Sequence, residues 1–109
     1  MNINVNDLAP QPLSHALALN ARYYTDPAMV DFDRTRVFAR SWQLVGHARQ
    51  IANAGDHLVT EIAGLPLVVI RDTEGRIRAY HNVCRHRAGP LALCDGKGAK
   101  ALRCKYHGW

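Results

Sequence analysis

The spacing of apolar positions changes once along the chain, at Trp42. Before it, Val30, Val37 and Phe38 fall on one face at helical spacing. Thr25-Asp26-Pro27 supplies a start, with Thr25 or Asp26 as N-cap and Pro27 in the first turn. Asp31 and Asp33 lie early and Arg36 and Arg40 late, complementing the helix dipole, so the pattern predicts a helix running to Arg40. A shorter helix is predicted over residues 13–24, from apolar positions 13, 16, 17, 19 and 21. Residues 1–12, polar and carrying Pro10 and Pro12, read as an arm.

From Trp42 the pattern reads as strands. Residues 42–47 form the first predicted strand, and Asn53-Ala54-Gly55-Asp56 a turn. Residues 57–62 and 65–71 are rich in β-branched positions, with Gly64 between them. Asp72-Thr73-Glu74-Gly75 predicts a hairpin into a strand over residues 76–82, with Ile77, Ala79, His81 and Val83 on one side. Gly89-Pro90 and Asp95-Gly96-Lys97-Gly98 predict two further turns. The expected domains are therefore residues 1–41, an arm with a helical preamble, and residues 42–109, an antiparallel β unit.

Composition leaves the class of a soluble globular domain open: 109 residues, 48% hydrophobic and 21% charged. No apolar run approaches the roughly 20 residues of a membrane span, and Met1 to Asp7 has no secretion-signal pattern. No membrane partner is expected, and a cytoplasmic location follows by default. The net charge of +5 is concentrated at one end. Residues 1–83 hold eight Lys/Arg against eight Asp/Glu. Residues 84–109 hold Arg85, Arg87, Lys97, Lys100, Arg103 and Lys105 against Asp95 alone.

That basic end carries the candidate chemistry. Cys84-Arg85-His86 and Cys104-Lys105-Tyr106-His107 give two clips, each with one thiol and one imidazole. A single Zn²⁺ can take two Cys and two His, usually with Cys paired to Cys and His to His in sequence. Mixed clips suit a binuclear centre, in which one iron takes both sulfurs and the other both nitrogens. Cys94 is then left over, expected to be a small loop hydrophobe, and no disulfide forms without sacrificing a ligand. His47, His57 and His81 read as polar strand positions; no spacing supports a facial triad of two His and a carboxylate.

Residues 82–89 and 104–109, Asn82-Val83-Cys84-Arg85-His86-Arg87-Ala88-Gly89 and Cys104-Lys105-Tyr106-His107-Gly108-Trp109, resemble the two cluster loops of Rieske non-haem iron oxygenases, the aromatic-ring-hydroxylating dioxygenase large-subunit family. Phe38-Ala39-Arg40-Ser41-Trp42 also resembles a helix preceding the Rieske fold in that family. The resemblance covers residues 22–109. It implies a mainly β fold, a Rieske-type antiparallel β-sandwich with cluster-binding loops after one or two N-terminal helices. It implies a Rieske [2Fe–2S] cluster on Cys84, His86, Cys104 and His107, the His ligands facing outward, with backbone N–H groups of residues 87–89 and 106–109 bonding the sulfurs.

The same resemblance implies electron transfer from a reductase or ferredoxin to a mononuclear Fe(II), with a small-molecule substrate and a homotrimeric or α3β3 assembly. That iron belongs to a C-terminal catalytic domain that this chain lacks, and the domain is expected to be truncated after the second loop. An isolated chain is therefore expected to bind its cluster poorly. Rieske proteins of bc-type complexes carry an extra Cys in each loop; the corresponding positions here are Gly89 and Tyr106. The rivals are a stand-alone Rieske ferredoxin, disfavoured by the preamble at residues 25–42, and a zinc-stabilised binding module. No nucleic-acid partner is expected, because a cluster that becomes anionic on reduction gives the basic end another use.

Overall fold

The structure, a computed structural model, describes residues 3–109. It divides into two compact units, one ending at Trp42 and the other Gln43–Trp109.

The first unit is helical, but its pattern is interrupted. Residues 13–24 do not form one helix: a 3₁₀ turn, Leu13–His15, is followed by extended chain and then by α1, Arg22–Thr25. Leu13 and Leu17 stay 98% and 80% exposed, so the segment has no buried face to offset the cost of nucleating so short a helix. The later helix does run to Arg40, but in three geometries. It begins as α2, Ala28–Phe32, passes through a π turn at Asp33–Val37 and closes as a 3₁₀ turn at Phe38–Arg40. Asp26 accepts the N–H of Ala28 through its carboxylate at 2.9 Å, the capping role its position suggests. The Thr35 hydroxyl bonds back to the Asp31 carbonyl at 2.8 Å, and that of Ser41 to Val37 at 2.7 Å. Such back-bonding competes with the regular ladder and bends helices. Val30, Val37 and Phe38 are exposed rather than packed.

The second unit is mainly β. Strands β1 (His57–Ile62), β2 (Leu65–Arg71) and β3 (Ile77–His81) make one antiparallel sheet in the order β1-β2-β3. The β1–β2 hairpin pairs Ile62 with Leu65 across a two-residue turn, Ala63-Gly64, and both turn residues have positive φ (49° and 82°). That is the tight hairpin geometry whose twist matches the strands. Alanine is a poor choice for it; the left-handed conformation costs an L-residue about 1–2 kcal/mol. Burial elsewhere in the sheet outweighs this. Leu58 faces Val69 across the sheet, and both pack with Ile51 and the half-buried Val45. Each such side chain contributes about 1.5–3 kcal/mol when buried. The adjacent Val68 is fully buried on the other face.

The predicted strand at residues 42–47 is not formed. Those residues carry no strand assignment, and Trp42 and Leu44 are 101% and 94% exposed. Instead a 3₁₀ turn, Ala48–Ile51, delivers Ile51 to the core. His47 caps it, accepting the Arg49 N–H through Nδ1 at 3.1 Å, while the Gln50 side chain accepts the His47 N–H at 2.6 Å. His47 is thus a cap rather than a strand residue.

A buried carboxylate ties the sheet to the turn at Lys97 and Gly98. Asp56 accepts the N–H groups of Asn53 and Gly98, both at 3.1 Å, and the Lys97 ammonium at 3.3 Å. The hydrogen bond from the Asn53 N–H, helped by those from Gly98 and Lys97, lowers its pKa below the ordinary carboxylate value against the upward push of burial. His57 and Gly96 exchange backbone hydrogen bonds in both directions, at 2.9 and 3.0 Å. A Cβ on Gly96 would lie 2.4 Å from the His57 ring, so any larger residue there would have to displace that ring. His57 therefore has a packing role, and His81 ends β3 exposed.

Candidate functional site

Strand β3 leads through Asn82 and Val83 straight into Cys84. Asn82 is 5% exposed and bonds on every side. Its N–H donates to Pro66 at 2.8 Å, its carboxamide oxygen accepts from Leu91 and Ala92, each at 2.9 Å, and its NH₂ donates to the Ala92 carbonyl at 2.7 Å. One side chain therefore fixes where the first loop leaves the sheet and where it returns. Sequence reasoning missed this role: asparagine before a loop reads as turn chemistry, and the partners lie nine and ten residues away.

The two loops share one backbone design. In the first, Cys84 donates its N–H to the Gly89 carbonyl at 2.7 Å, and Ala88 donates to the Cys84 carbonyl at 2.9 Å. In the second, Cys104 donates to Trp109 at 2.7 Å and Gly108 to Cys104 at 2.9 Å. The fifth residue of each loop is left-handed, Ala88 at φ 56° and Gly108 at φ 75°. The His lies third in one loop and fourth in the other.

Folding brings the four expected ligands together as two pairs. Cys84 and Cys104 are each 3% exposed. His86 and His107 are exposed, with ring centroids 4.8 Å apart. The His86 N–H bonded to its sulfur, then the Arg87 N–H and the Cys104 side chain, lower the Cys84 pKa against desolvation, which favours the thiolate that metals bind. Of the N–H groups expected on sulfur, those of Ala88 and Gly108 bond the cysteine carbonyls instead. Tyr106 lies over His107 (3.9 Å between centroids, 39°), and Trp109 stacks on His86 (6.4 Å, 27°). A Cβ on Gly89 would lie 3.4 Å from the Cys104 sulfur, so glycine keeps the space beside the thiols clear.

Among the described residues, no three His, Cys, Asp or Glu side chains converge to hold one ion. The donor pairs segregate, sulfur with sulfur inside and nitrogen with nitrogen outside. That layout fits a binuclear group spanning the pairs better than a single tetrahedral zinc. Cys94, expected as a small loop hydrophobe, does lie in a loop, as a free and exposed thiol. No helix among the described residues is long and apolar enough to cross a membrane.

A sheet that ends in two matched loops, with buried thiols and outward imidazoles, is the architecture of an iron–sulfur electron-transfer domain. The chain belongs to the Rieske [2Fe–2S] domain family, whose description matches residues 41–109. It is 43% identical over 91 residues to the biphenyl 2,3-dioxygenase alpha subunit of Rhodococcus jostii, covering 84% of this chain and 20% of that protein. It is 38% identical over 94 residues to the carnitine monooxygenase oxygenase subunit of Escherichia coli, covering 86% and 25%. Among solved structures, a quaternary ammonium Rieske monooxygenase in complex with L-carnitine superposes with TM-score 0.77 and 32% identity, covering 81% of this chain and 25% of that one. Naphthalene 1,2-dioxygenase from Rhodococcus sp. superposes with TM-score 0.77 and 34% identity, covering 84% and 21%. The chain thus spans a fifth to a quarter of the length of these relatives.

Proposed function

We propose that Cys84 and Cys104 hold the inner iron of a [2Fe–2S] cluster, and His86 and His107 the outer one. We further propose that the chain is the electron-entry portion of a ring-hydroxylating or demethylating oxygenase, with residues 1–41 as preamble and residues 42–109 as the Rieske domain. The observation that carries the first reading is the segregation of the four side chains into a buried thiol pair and an exposed imidazole pair. When bound, such a cluster accepts and passes on one electron, at a potential of roughly −150 to +300 mV set by the imidazole ligands.

The residues of this chain prepare that role. The N–H groups of His86 and Arg87 stabilise negative charge on the Cys84 sulfur. Gly89 leaves room beside Cys104. Burial of the two cysteines shields the sulfur end from water, and exposure of the imidazoles leaves a short route to a partner. The donor is a reductase or ferredoxin. The acceptor is a mononuclear iron outside these residues, where a small aromatic or quaternary-ammonium substrate is oxidised, in a homotrimeric or α3β3 assembly. A cytoplasmic location goes with this reading.

The test is iron and sulfide analysis of the full polypeptide carrying this chain, with its visible spectrum. Two irons and two sulfides per Rieske domain, and absorption bleached by dithionite, are expected. Cys104→Ser should remove both. Zinc in place of iron would overturn the reading.

A further inference from the structure

We propose that Asp56 and Asp95 are positioning residues for the cluster. Their carboxylates pin the segment that joins the two ligand loops, and so set where Cys104 and His107 stand relative to Cys84 and His86. This rests on the cluster assignment under Proposed function and deepens it. The hydrogen bonding of residues 90–103 carries it. Those residues form no helix and no strand beyond an isolated bridge at Gly96, so no ladder of their own fixes their course. Bonds to residues far away in sequence fix it instead. Asn82 holds the start, at Leu91 and Ala92. Asp95 then accepts the Val59 N–H at 2.7 Å, beside the paired backbones of His57 and Gly96. Last, Asp56 accepts the Gly98 N–H at 3.1 Å and the Lys97 ammonium at 3.3 Å, and Ala99 donates its N–H to the Gly55 carbonyl at 3.0 Å. The backbones meet directly at this last anchor: a Cβ on Gly55 would stand 2.4 Å from the Ala99 carbonyl oxygen. Only residues 100–103 then separate it from Cys104.

The two carboxylates act differently. Asp56 is 2% exposed, and a buried carboxylate is tolerated only where donors surround it. One donor comes from Asn53 in its own turn and two from the joining segment. Lifting the segment would leave a buried charge with a single donor. That penalises opening more than the loss of two neutral hydrogen bonds would. Asp95 lies between the other anchors and gives the Val59 N–H of β1 the acceptor that a neighbouring strand would otherwise supply. Neither residue belongs to a ligand loop, so both act through the chain that joins the loops.

The experiment measures iron release from the full, cluster-loaded polypeptide to the chelator bathophenanthroline disulfonate, at an equal interval below each variant's thermal midpoint. The EPR spectrum of the dithionite-reduced protein is recorded alongside. Asp56→Asn, which keeps the side chain's size and removes its charge, and separately Asp95→Ala should each release iron about tenfold or more faster than the unmodified protein. That is the factor a hydrogen bond to a charged group contributes to an opening equilibrium. Both should broaden the EPR lines, because the ligand pairs are then held at a spread of separations. Asp95→Asn, which keeps an oxygen for the Val59 N–H, should restore the rate and the line width. Val69→Ala, which loosens the core against Ile51 and Leu58, should change neither.

Iron release as fast in Val69→Ala as in the carboxylate variants, or unchanged in all of them, would show that the anchors serve overall stability alone. That result overturns the positioning role and leaves the cluster assignment standing. So does an Asp95→Asn variant that behaves like Asp95→Ala. If Asp56→Asn does not fold, the two variants at position 95 decide. Absence of iron–sulfur absorption from the unmodified protein would instead overturn the cluster assignment, and the positioning role with it.

Discussion

A Cβ placed on Gly89 would stand 3.8 Å from the Cβ of Tyr106, across the gap between the two loops. That is the mean Cβ separation of a disulfide. The spacing between these two positions is therefore one that a disulfide would fit. Gly89→Cys/Tyr106→Cys should therefore oxidise spontaneously. Closing a loop of this length contributes about 3 kcal/mol in the chain-entropy model. Thiol titration of the denatured chain and the thermal midpoint with and without reductant check it; with the three native cysteines counted, three thiols after oxidation are expected, and five would show that the loops are set farther apart.

Asn82 should matter for stability more than its small size suggests. Asn82→Ala strips three hydrogen bonds from a buried site and leaves the Leu91 and Ala92 N–H groups without their acceptor. At about 1–3 kcal/mol per buried group left unpaired, a loss of roughly 3 kcal/mol is expected by urea denaturation. Asn82→Asp, which keeps the acceptor and loses the donor, should fall between the two. A loss under about 0.5 kcal/mol, the usual range of a surface change, would mean that the loop is held elsewhere.

Two alanines occupy left-handed backbone, Ala63 in the hairpin and Ala88 in the first loop. Glycine avoids the steric cost of about 1–2 kcal/mol but gives up about 0.5–1 kcal/mol of chain entropy. Ala63→Gly and Ala88→Gly should each be neutral to about 1 kcal/mol stabilising, whereas Gly108→Ala, the mirror change, should destabilise by about 1 kcal/mol. Ala63→Asn should match or exceed Ala63→Gly, since Asn-Gly is the favoured sequence for this turn. Thermal denaturation of the four variants decides the matter, and opposite signs at positions 88 and 108 are the diagnostic result.

Asp56 links stability to acid. Its folded pKa lies below the unfolded value, so the charged carboxylate stabilises the fold above the unfolded pKa of about 3.9. That contribution is lost as pH falls through the lower folded value. Stability should thus be level near neutrality and decline below about pH 4. Asp56→Asn should be less stable at pH 7 and flatter in acid, as measured by denaturant unfolding across pH. An unchanged acid slope in that variant would place the sensitivity on another carboxylate, Asp72 being next: burial pushes its pKa up, but the hydrogen bonds and charge of Arg76 and the hydrogen bond from Arg78 together lower it.

The strands that build the site were legible where local chemistry determines pairing. Residues 57–62 and 65–71 carry β-branched runs on either side of a turn signal, and both strands form with those bounds. Residues 42–47 have the same alternation, yet a strand is a relation to a partner as well as a pattern, and no strand forms there. Residues 13–24 failed for a similar reason, since periodicity without a surface to bury against does not sustain a short helix. At the site, the motif spacing was enough to single out Cys84, His86, Cys104 and His107 as candidates. It could not reveal Asn82 as a long-range staple, the shared backbone design of the loops, or the engagement of Asp56 by Lys97, because each depends on residues distant in sequence.

Which atoms hold which iron is tested most directly by pulsed EPR of the dithionite-reduced full polypeptide, grown with ¹⁵N-histidine. Two histidine nitrogens coupled to the paramagnetic cluster are predicted, with both couplings lost in His86→Cys/His107→Cys if that variant still assembles a cluster. A reduced sample that is EPR-silent and rich in zinc, or a cluster signal carrying no histidine nitrogen coupling, would contradict the assignment.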